Sequence, residues 1–272
     1  MSGRAALHVV ERRGAGDGPA TVLVLHGFTG SGAAMAPLWE RLRDRYTVLA
    51  PDLLGHGRSP APLDLSEYTT QAAVRQLAEV LDRHRTASAH VVGYSMGGRL
   101  ALALACAAPE RVASVAVVGA SAGIPDDRER TERRRRDKAL ADRIEADGIE
   151  AFVDHWMELP LFASQQRLGA DHLDRMRTQR LDNRPVGLAM SLRGSGTGAQ
   201  PPLHDDLARS SVPFLFVAGA EDAKFAALAR QLAGIAPVGS VATIEGAGHA
   251  AHLEQPDAVV AAVSAHFASA AP

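Results

Sequence analysis

The chain has 272 residues, 46% hydrophobic and 22% charged, which suits one globular α/β domain carrying an insertion. Lys and Arg number 29 against 31 Asp and Glu, a net charge of −2, so no global field draws it to nucleic acid or to an anionic membrane. Cys106 is the single cysteine, which excludes an internal disulfide and a cysteine-based metal site.

The first twenty residues hold glycines and charges in place of a signal-peptide apolar run, and no stretch approaches the roughly 18 apolar residues of a membrane helix. A cytoplasmic protein is expected. Residues 7–10 read as a first strand, and residues 21–25 (TVLVL) as a strand of the buried, parallel-sheet kind. The glycine-rich loop that follows, His26 to Gly32, lacks both the P-loop lysine and the dinucleotide GxGxxG, so it is not a nucleotide site. Leu38, Trp39 and Leu42 carry a helix; residues 46–50 form the next strand; and His56 sits in a turn-rich loop, where it is expected to bond locally. Residues 69–81 form an amphipathic helix with Val74, Leu77 and Leu81 on one face.

Next come the short apolar run 89–92 and Gly93 Tyr94 Ser95 Met96 Gly97, followed by a helix built on Leu100, Leu102 and Leu104. The chain must reverse sharply at the serine, and glycines two residues either side leave room for that turn: the GxSxG nucleophile elbow. The helix begins at Ser95, so its N-terminal dipole and free N–H groups favour negative charge there, and Met96 N–H becomes one oxyanion donor. The second donor of such a site comes from the loop after the early strand, which nominates Phe28 N–H. Residues 112–118 form another buried strand, and alternating strands and helices imply a parallel sheet.

From Pro125 to about residue 211 no β-rich run occurs, only charged helical segments. The expected division is a core of residues 1–124 and 212–272 with an inserted helical cap over 125–211. Residues 128–137 are rich in arginine and mostly read as a solvated helix face. Extending the apolar stripe of Leu140 and Ile144 backwards, however, places Arg133 and Asp137 on the buried side, where an arginine needs an anion. A second stripe, Ile149, Phe152, Val153 and Trp156, makes Trp156 either cap core or pocket lining. Pro185 can start a helix through Leu188 and Leu192.

Residues 212–217 form the next buried strand, and Glu221 and Asp222 follow at its C-terminal end, where ligand chemistry in open α/β sheets gathers. Asp222, with the shorter arm in the turn, is preferred as the functional acid. Residues 241–244 form the last strand; Gly246 Ala247 Gly248 His249 follows, then a helix over 256–267. His249 and His252 lack the acid or cysteine that a zinc site at this spacing needs, so no metal and no cofactor are expected. Ser95, Asp222 and His249 occur in that order, each just after a strand. In this arrangement His249 takes the Ser95 proton and Asp222 fixes the imidazole tautomer.

The order and placement of these groups resemble the α/β-hydrolase fold. More narrowly, GYSMGGR, HGFTGSG, the arginine-rich segment, HWMELPLF, RLDN, GLAMSLRGSGTGAQPPL, EDAKF and GAGHAAHLEQP resemble the 2-succinyl-6-hydroxy-2,4-cyclohexadiene-1-carboxylate synthase family of menaquinone biosynthesis over roughly residues 20–268. The resemblance implies elimination of pyruvate from a polycarboxylated cyclohexene with the triad as base, substrate carboxylates held by Arg99, Arg133 and Arg180, and a pocket wall at Trp156. Met157 departs from the aromatic hydroxyl expected there. The residues support an anion site independently: Arg99 lies four positions after Ser95, on the same helix face, leaning toward the helix N-terminus. Pairing of Arg99 with Asp52 or Glu40 is the structural alternative. The expected partner is therefore a small anionic substrate. A serine hydrolase of a carboxylated ester or carbon–carbon bond is the second enzyme reading, and a small-molecule receptor on the same scaffold a distant third.

Overall fold

The structure, a computed structural model, describes residues 6–14 and 20–270. Among them, seven strands form one sheet in the order β1-β3-β2-β4-β5-β6-β7. These are β1 (Val9–Arg12), β2 (Thr21–Leu25), β3 (Thr47–Pro51), β4 (Ala89–Tyr94), β5 (Val112–Val118), β6 (Phe214–Gly219) and β7 (Gly239–Ile244). Only the β1–β3 pairing is antiparallel. Side chains alternate across a strand, so an unbroken apolar run needs cover on both faces. In β2, Leu23 and Leu25 enter one core while Val22 and Val24 enter the other.

Helices supply both covers. On one face α2 (Thr70–Arg83), α3 (Met96–Ala107) and α8 (Ala223–Ile235) bring Leu77, Leu102 and Leu232. On the other, α1 (Ala36–Leu42) and α9 (Pro256–Ser269) bring Leu38, Leu42 and Phe267. The amphipathic helix expected over residues 69–81 starts where Thr69 accepts a hydrogen bond from Ala72 N–H at 3.1 Å, an N-cap that satisfies one orphan donor. The first strand lies two residues later than expected. Its position is set by antiparallel register on β3, Val9 opposite Pro51 and Arg12 opposite Val48, and not by apolar character, while Leu7 is buried outside the strand.

Between β5 and β6 run α4 (Asp127–Met157), α5 (Ala170–Leu181), α6 (Pro185–Ser195) and α7 (His204–Arg209). Gly148, at φ 82, breaks α4 into two helical runs, which is why its apolar stripe restarts at Ile149. Ile144, Phe152 and Val153 of α4 pack on Leu188 and Leu192 of α6 in a separate core. α7 belongs with the sheet instead, since Leu207 joins the core under α3 and α8.

The sheet order places the site. After β2 the chain moves outward to β3 with α1 on one face; after β4 it moves to β5 with α3 on the other. Loops leaving the C-terminal ends of β2 and β4 therefore part at a topological switch point, where a crevice opens. Phe28 follows β2 and Ser95 follows β4.

Candidate active site

Ser95 has φ 50 and ψ −108, a strained backbone for a residue with a side chain. The turn closes so tightly that a Cβ on Gly93 would stand 2.4 Å from Gly97 O, and one on Gly97 would stand 2.3 Å from Leu25 O. His249 Nε2 lies 3.3 Å from Ser95 Oγ, and His249 Nδ1 lies 2.8 Å from Asp222 Oδ2. The second oxygen of Asp222 accepts Phe225 N–H at 3.2 Å, capping α8. A carboxylate is acceptor only, so Nδ1 carries the proton and Nε2 presents its lone pair to the serine hydroxyl.

The imidazole is 3% exposed and ringed by Phe225, Tyr94 and Phe162 at centroid distances of 4.5, 5.5 and 6.2 Å. Gly119, at φ 61, admits it: a Cβ there would stand 3.0 Å from His249 Cε1. Glu254, given no role of its own within the GAGHAAHLEQP segment, holds the loop by accepting Gly248 N–H at 2.9 Å and Ala250 N–H at 3.3 Å. Glu221 turns outward to Arg167 at 2.9 Å, so Asp222 is the acid on His249.

Gly27 lets the loop after β2 touch the elbow, since a Cβ there would meet the Tyr94 ring at 2.7 Å and Ser95 Cβ at 3.6 Å. Phe28 thus lies beside Ser95. Met96, first residue of α3, presents an N–H with no intrahelical partner. Asn183 ties this loop to the insertion: its Nδ2 donates to Thr29 O at 2.9 Å, and its Oδ1 accepts Gly57 N–H at 3.0 Å. Its place before Pro185 was visible in sequence; its partners, more than a hundred residues away, were not.

Beneath the loop, His26 donates from Nδ1 to Gly27 O at 2.8 Å and accepts Leu53 N–H on Nε2 at 2.9 Å, which fixes one neutral tautomer. His56 bonds within its own loop, to Leu54 O at 3.2 Å, and packs edge-on against Phe28. Burial lowers the pKa of His26, and lowers those of His56 and His252 to about 3, with His26 and His249 as lesser causes for the latter two. In the unfolded chain these groups protonate near 6.5, so the native state binds fewer protons below that pH. Stability should be fully present above about pH 6.5 and fall as pH drops toward 3, by up to about 1.4 kcal/mol per pH unit for each group. Urea midpoints measured between pH 7 and 4 check this, and a flat profile would contradict it.

The arginines divide. Arg99 is 8% exposed and meets neither Asp52 nor Glu40. Its Nη1 donates to Ser195 O at 2.9 Å and to Gln200 Oε1 at 2.6 Å. Burial, then the nearby Arg133 charge, lowers its pKa to about 10, against a raising effect of Asp137. Arg133, its side chain 40% exposed, donates from Nε to Asp137 Oδ1 at 2.7 Å, so part of the anion its position called for lies within the chain. Asp137 also accepts Gly198 N–H at 2.9 Å. Arg180 is partly buried; Nη1 donates to Met176 O at 3.1 Å, and buried Nε has no partner. Burial lowers its pKa, countered by the neighbouring Tyr94. Trp156 packs on Phe28 at 5.3 Å, with its buried indole N–H also unpartnered. Met157 joins the apolar cluster of α4 and α6.

A cavity opens between the loop after β2, the start of α1 and α5, with Phe28, Tyr94, Met176, Arg175 and Arg180 on its wall. Ser95 and His249 lie outside that wall, behind Tyr94. Among the described residues no acidic side chain lines the cavity.

A serine hydroxyl facing an aspartate-oriented imidazole at the switch point of a mostly parallel sheet defines an α/β-hydrolase-fold enzyme. The family model described as alpha/beta hydrolase fold matches residues 20–256. The Bacillus subtilis (strain 168) protein that provisionally bears the name 2-succinyl-6-hydroxy-2,4-cyclohexadiene-1-carboxylate synthase is 43% identical over 86% of this chain and 85% of its own. The synthase of that name from Escherichia coli O1:K1 / APEC is 32% identical over 89% and 92%. The solved structure of MenH from S. aureus superposes with a TM-score of 0.92 at 31% identity, covering 97% of this chain and 98% of that one. The chain belongs to the α/β-hydrolase family and, within it, to the 2-succinyl-6-hydroxy-2,4-cyclohexadiene-1-carboxylate synthases. No helix among the described residues is long and apolar enough to cross a membrane.

Proposed function

We propose that this protein is a cytoplasmic, cofactor-free carbon–oxygen lyase that eliminates pyruvate from a polycarboxylated cyclohexene in menaquinone biosynthesis, forming the cyclohexadiene for which its relatives are named. The observation that carries this reading is a Ser95–His249–Asp222 chain on the same helix face as Arg99, a buried cation with no carboxylate partner among the described residues. A neutral ester has no use for such a charge, whereas a planar carboxylate matches its fork.

In this reading His249 Nε2 draws the proton from Ser95 Oγ as that oxygen takes a proton from a ring carbon next to a carbonyl. The electron pair released passes into the ring, and negative charge gathering on the carbonyl oxygen is met by Phe28 and Met96 N–H. The pair then expels the enolpyruvyl oxygen: the ring C–O bond breaks, a second ring double bond forms, and the proton held by His249 returns to the departing group as pyruvate. Asp222 stabilises the imidazolium between those steps. Arg99, Arg133 and Arg180 hold substrate carboxylates, and Trp156 packs on the ring.

The test is pyruvate release from the enolpyruvyl substrate compared with hydrolysis of a panel of esters. Ser95→Ala should lower elimination by at least about 10³-fold while substrate still binds, because alanine fits the elbow and every arginine remains. The triad would equally serve an acyl-enzyme, so a serine hydrolase of a carboxylated ester is the second reading. A product burst equal to enzyme concentration, with a trapped Ser95 adduct on the native substrate, would select it and exclude the base mechanism.

A further inference from the structure

Most arginines in this chain that are drawn into contacts meet acids: Arg193 meets Asp142 and Glu145, Arg177 meets Asp154, and Arg167 meets Glu221. Arg99, far more buried, is held instead by two neutral oxygens, Ser195 O and Gln200 Oε1. Desolvating a guanidinium without a counter-charge is costly, so such an arrangement persists where an anion arrives from outside.

Gln200 is the less obvious half of the arrangement. It is 0% exposed, in the segment joining α6 to α7. An arginine can only donate, so the amide must turn its oxygen to Arg99, which leaves Nε2 buried with no acceptor. The segment is rigid. Gln200 N–H donates to Gly196 O at 3.0 Å, and Gly198 lies so close to α4 that a Cβ would stand 2.2 Å from Arg134 N. The charges nearby do not cancel. Asp137, the acid that reaches this cluster, already accepts from Arg133 Nε and Gly198 N–H, so Arg99, Arg133 and Asp137 together keep one positive charge in surplus.

We propose that Gln200 is a positioning and specificity-determining residue: its amide oxygen aims Arg99 and, being neutral, leaves that guanidinium's charge free for a substrate carboxylate. The unpartnered Nε2–H is then a second donor whose burial cost is relieved when the carboxylate settles. A glutamate of the same length would aim Arg99 equally well and neutralise it. This rests on the reading of Arg99 as a carboxylate ligand.

Gln200→Glu is the test, read with the native substrate and, independently of turnover, by calorimetric binding of succinate to Ser95→Ala protein. The expected result is a loss of about 100-fold in kcat/KM carried mainly by KM, a matching loss of succinate binding, and a thermal midpoint no lower than the parent's. In an Arg99→Ala background Gln200→Glu should cost nothing further, because it acts only through that guanidinium. Where Gln200→Glu does not fold, Gln200→Met, which keeps the length and drops the acceptor, carries the test, with a KM rise of about 10-fold expected. Unchanged KM in a folded variant, or losses that multiply with Arg99→Ala, would overturn the assignment. If the protein proves not to release pyruvate, that result strikes the elimination reading alone, and the succinate arm still decides the role of Gln200.

Discussion

Asp222→Asn is expected to lower kcat by about four orders of magnitude with the fold unchanged, the size of the effect when the same change is made in a serine protease triad. The geometry says why the loss falls on chemistry and spares stability. Asp222 uses one oxygen to cap α8, accepting Phe225 N–H at 3.2 Å, and the other to accept His249 Nδ1–H at 2.8 Å. An asparagine keeps its carbonyl on the cap, where an acceptor is required, and so turns its NH₂ toward His249. Nδ1 must then accept, the ring proton moves to Nε2, and Nε2 can no longer take the proton of Ser95. Steady-state kinetics beside a denaturation curve measures both halves. Near-normal turnover in the asparagine variant would remove Asp222 from the mechanism.

The second large effect separates an eliminase of a polyanion from a generic esterase. Arg99→Ala, Arg133→Ala and Arg180→Ala should each lower kcat/KM on the carboxylated substrate by about 10- to 100-fold, the worth of one or two charge-assisted hydrogen bonds. The structure orders them by cause. Loss at Arg99 or Arg180 removes a cation that has no acid partner among the described residues, so the effect belongs to the ligand. Loss at Arg133 also strips Asp137, 5% exposed, of its counter-ion, so this variant alone should lower the thermal midpoint. Lysine replacements should restore part of the loss, because an ammonium keeps the charge and not the planar fork. Hydrolysis of a small neutral ester needs only the triad and the N–H donors, and should change by less than about threefold in all three variants. Equal losses on both substrates would assign the arginines to the fold.

In the proposed function the anion-binding arginines are shared between the core and the insertion. Arg99 lies on α3, four residues after Ser95; Arg133 and Arg180 come from α4 and α5; and Trp156, near the end of α4, packs edge-on against Phe28 in the loop after β2. Asn183 stitches insertion to loop by hydrogen bonds to Thr29 O and from Gly57 N–H. Under the proposed function the same contacts position the substrate carboxylates and the oxyanion donors, and a change in the docking of the insertion should be felt in kcat as well as in KM.

Elements whose cause is local were legible in the residues. Apolar runs without alternation marked the buried parallel strands, and glycines around Ser95 marked the elbow, because each constraint acts within a few residues of its own position. Chain order then determined the triad, since each member follows a strand and strands of a parallel sheet end on one side. The contacts those residues make came only from the fold. Glu221 and Asp222 are neighbours in one turn, and only the path of the chain places Asp222 against His249 while Glu221 meets Arg167. The helical stripe put Arg133 and Asp137 on one side of α4, yet only the fold shows Asp137 buried and also held by Gly198 N–H while the Arg133 side chain stays 40% exposed. Gln200 and Glu254 stand within the GLAMSLRGSGTGAQPPL and GAGHAAHLEQP segments, but no spacing or periodicity there assigns either a role. Their importance arises from a buried cation and a catalytic loop brought to them by folding, and a long-range hydrogen bond leaves no periodicity for a sequence to display.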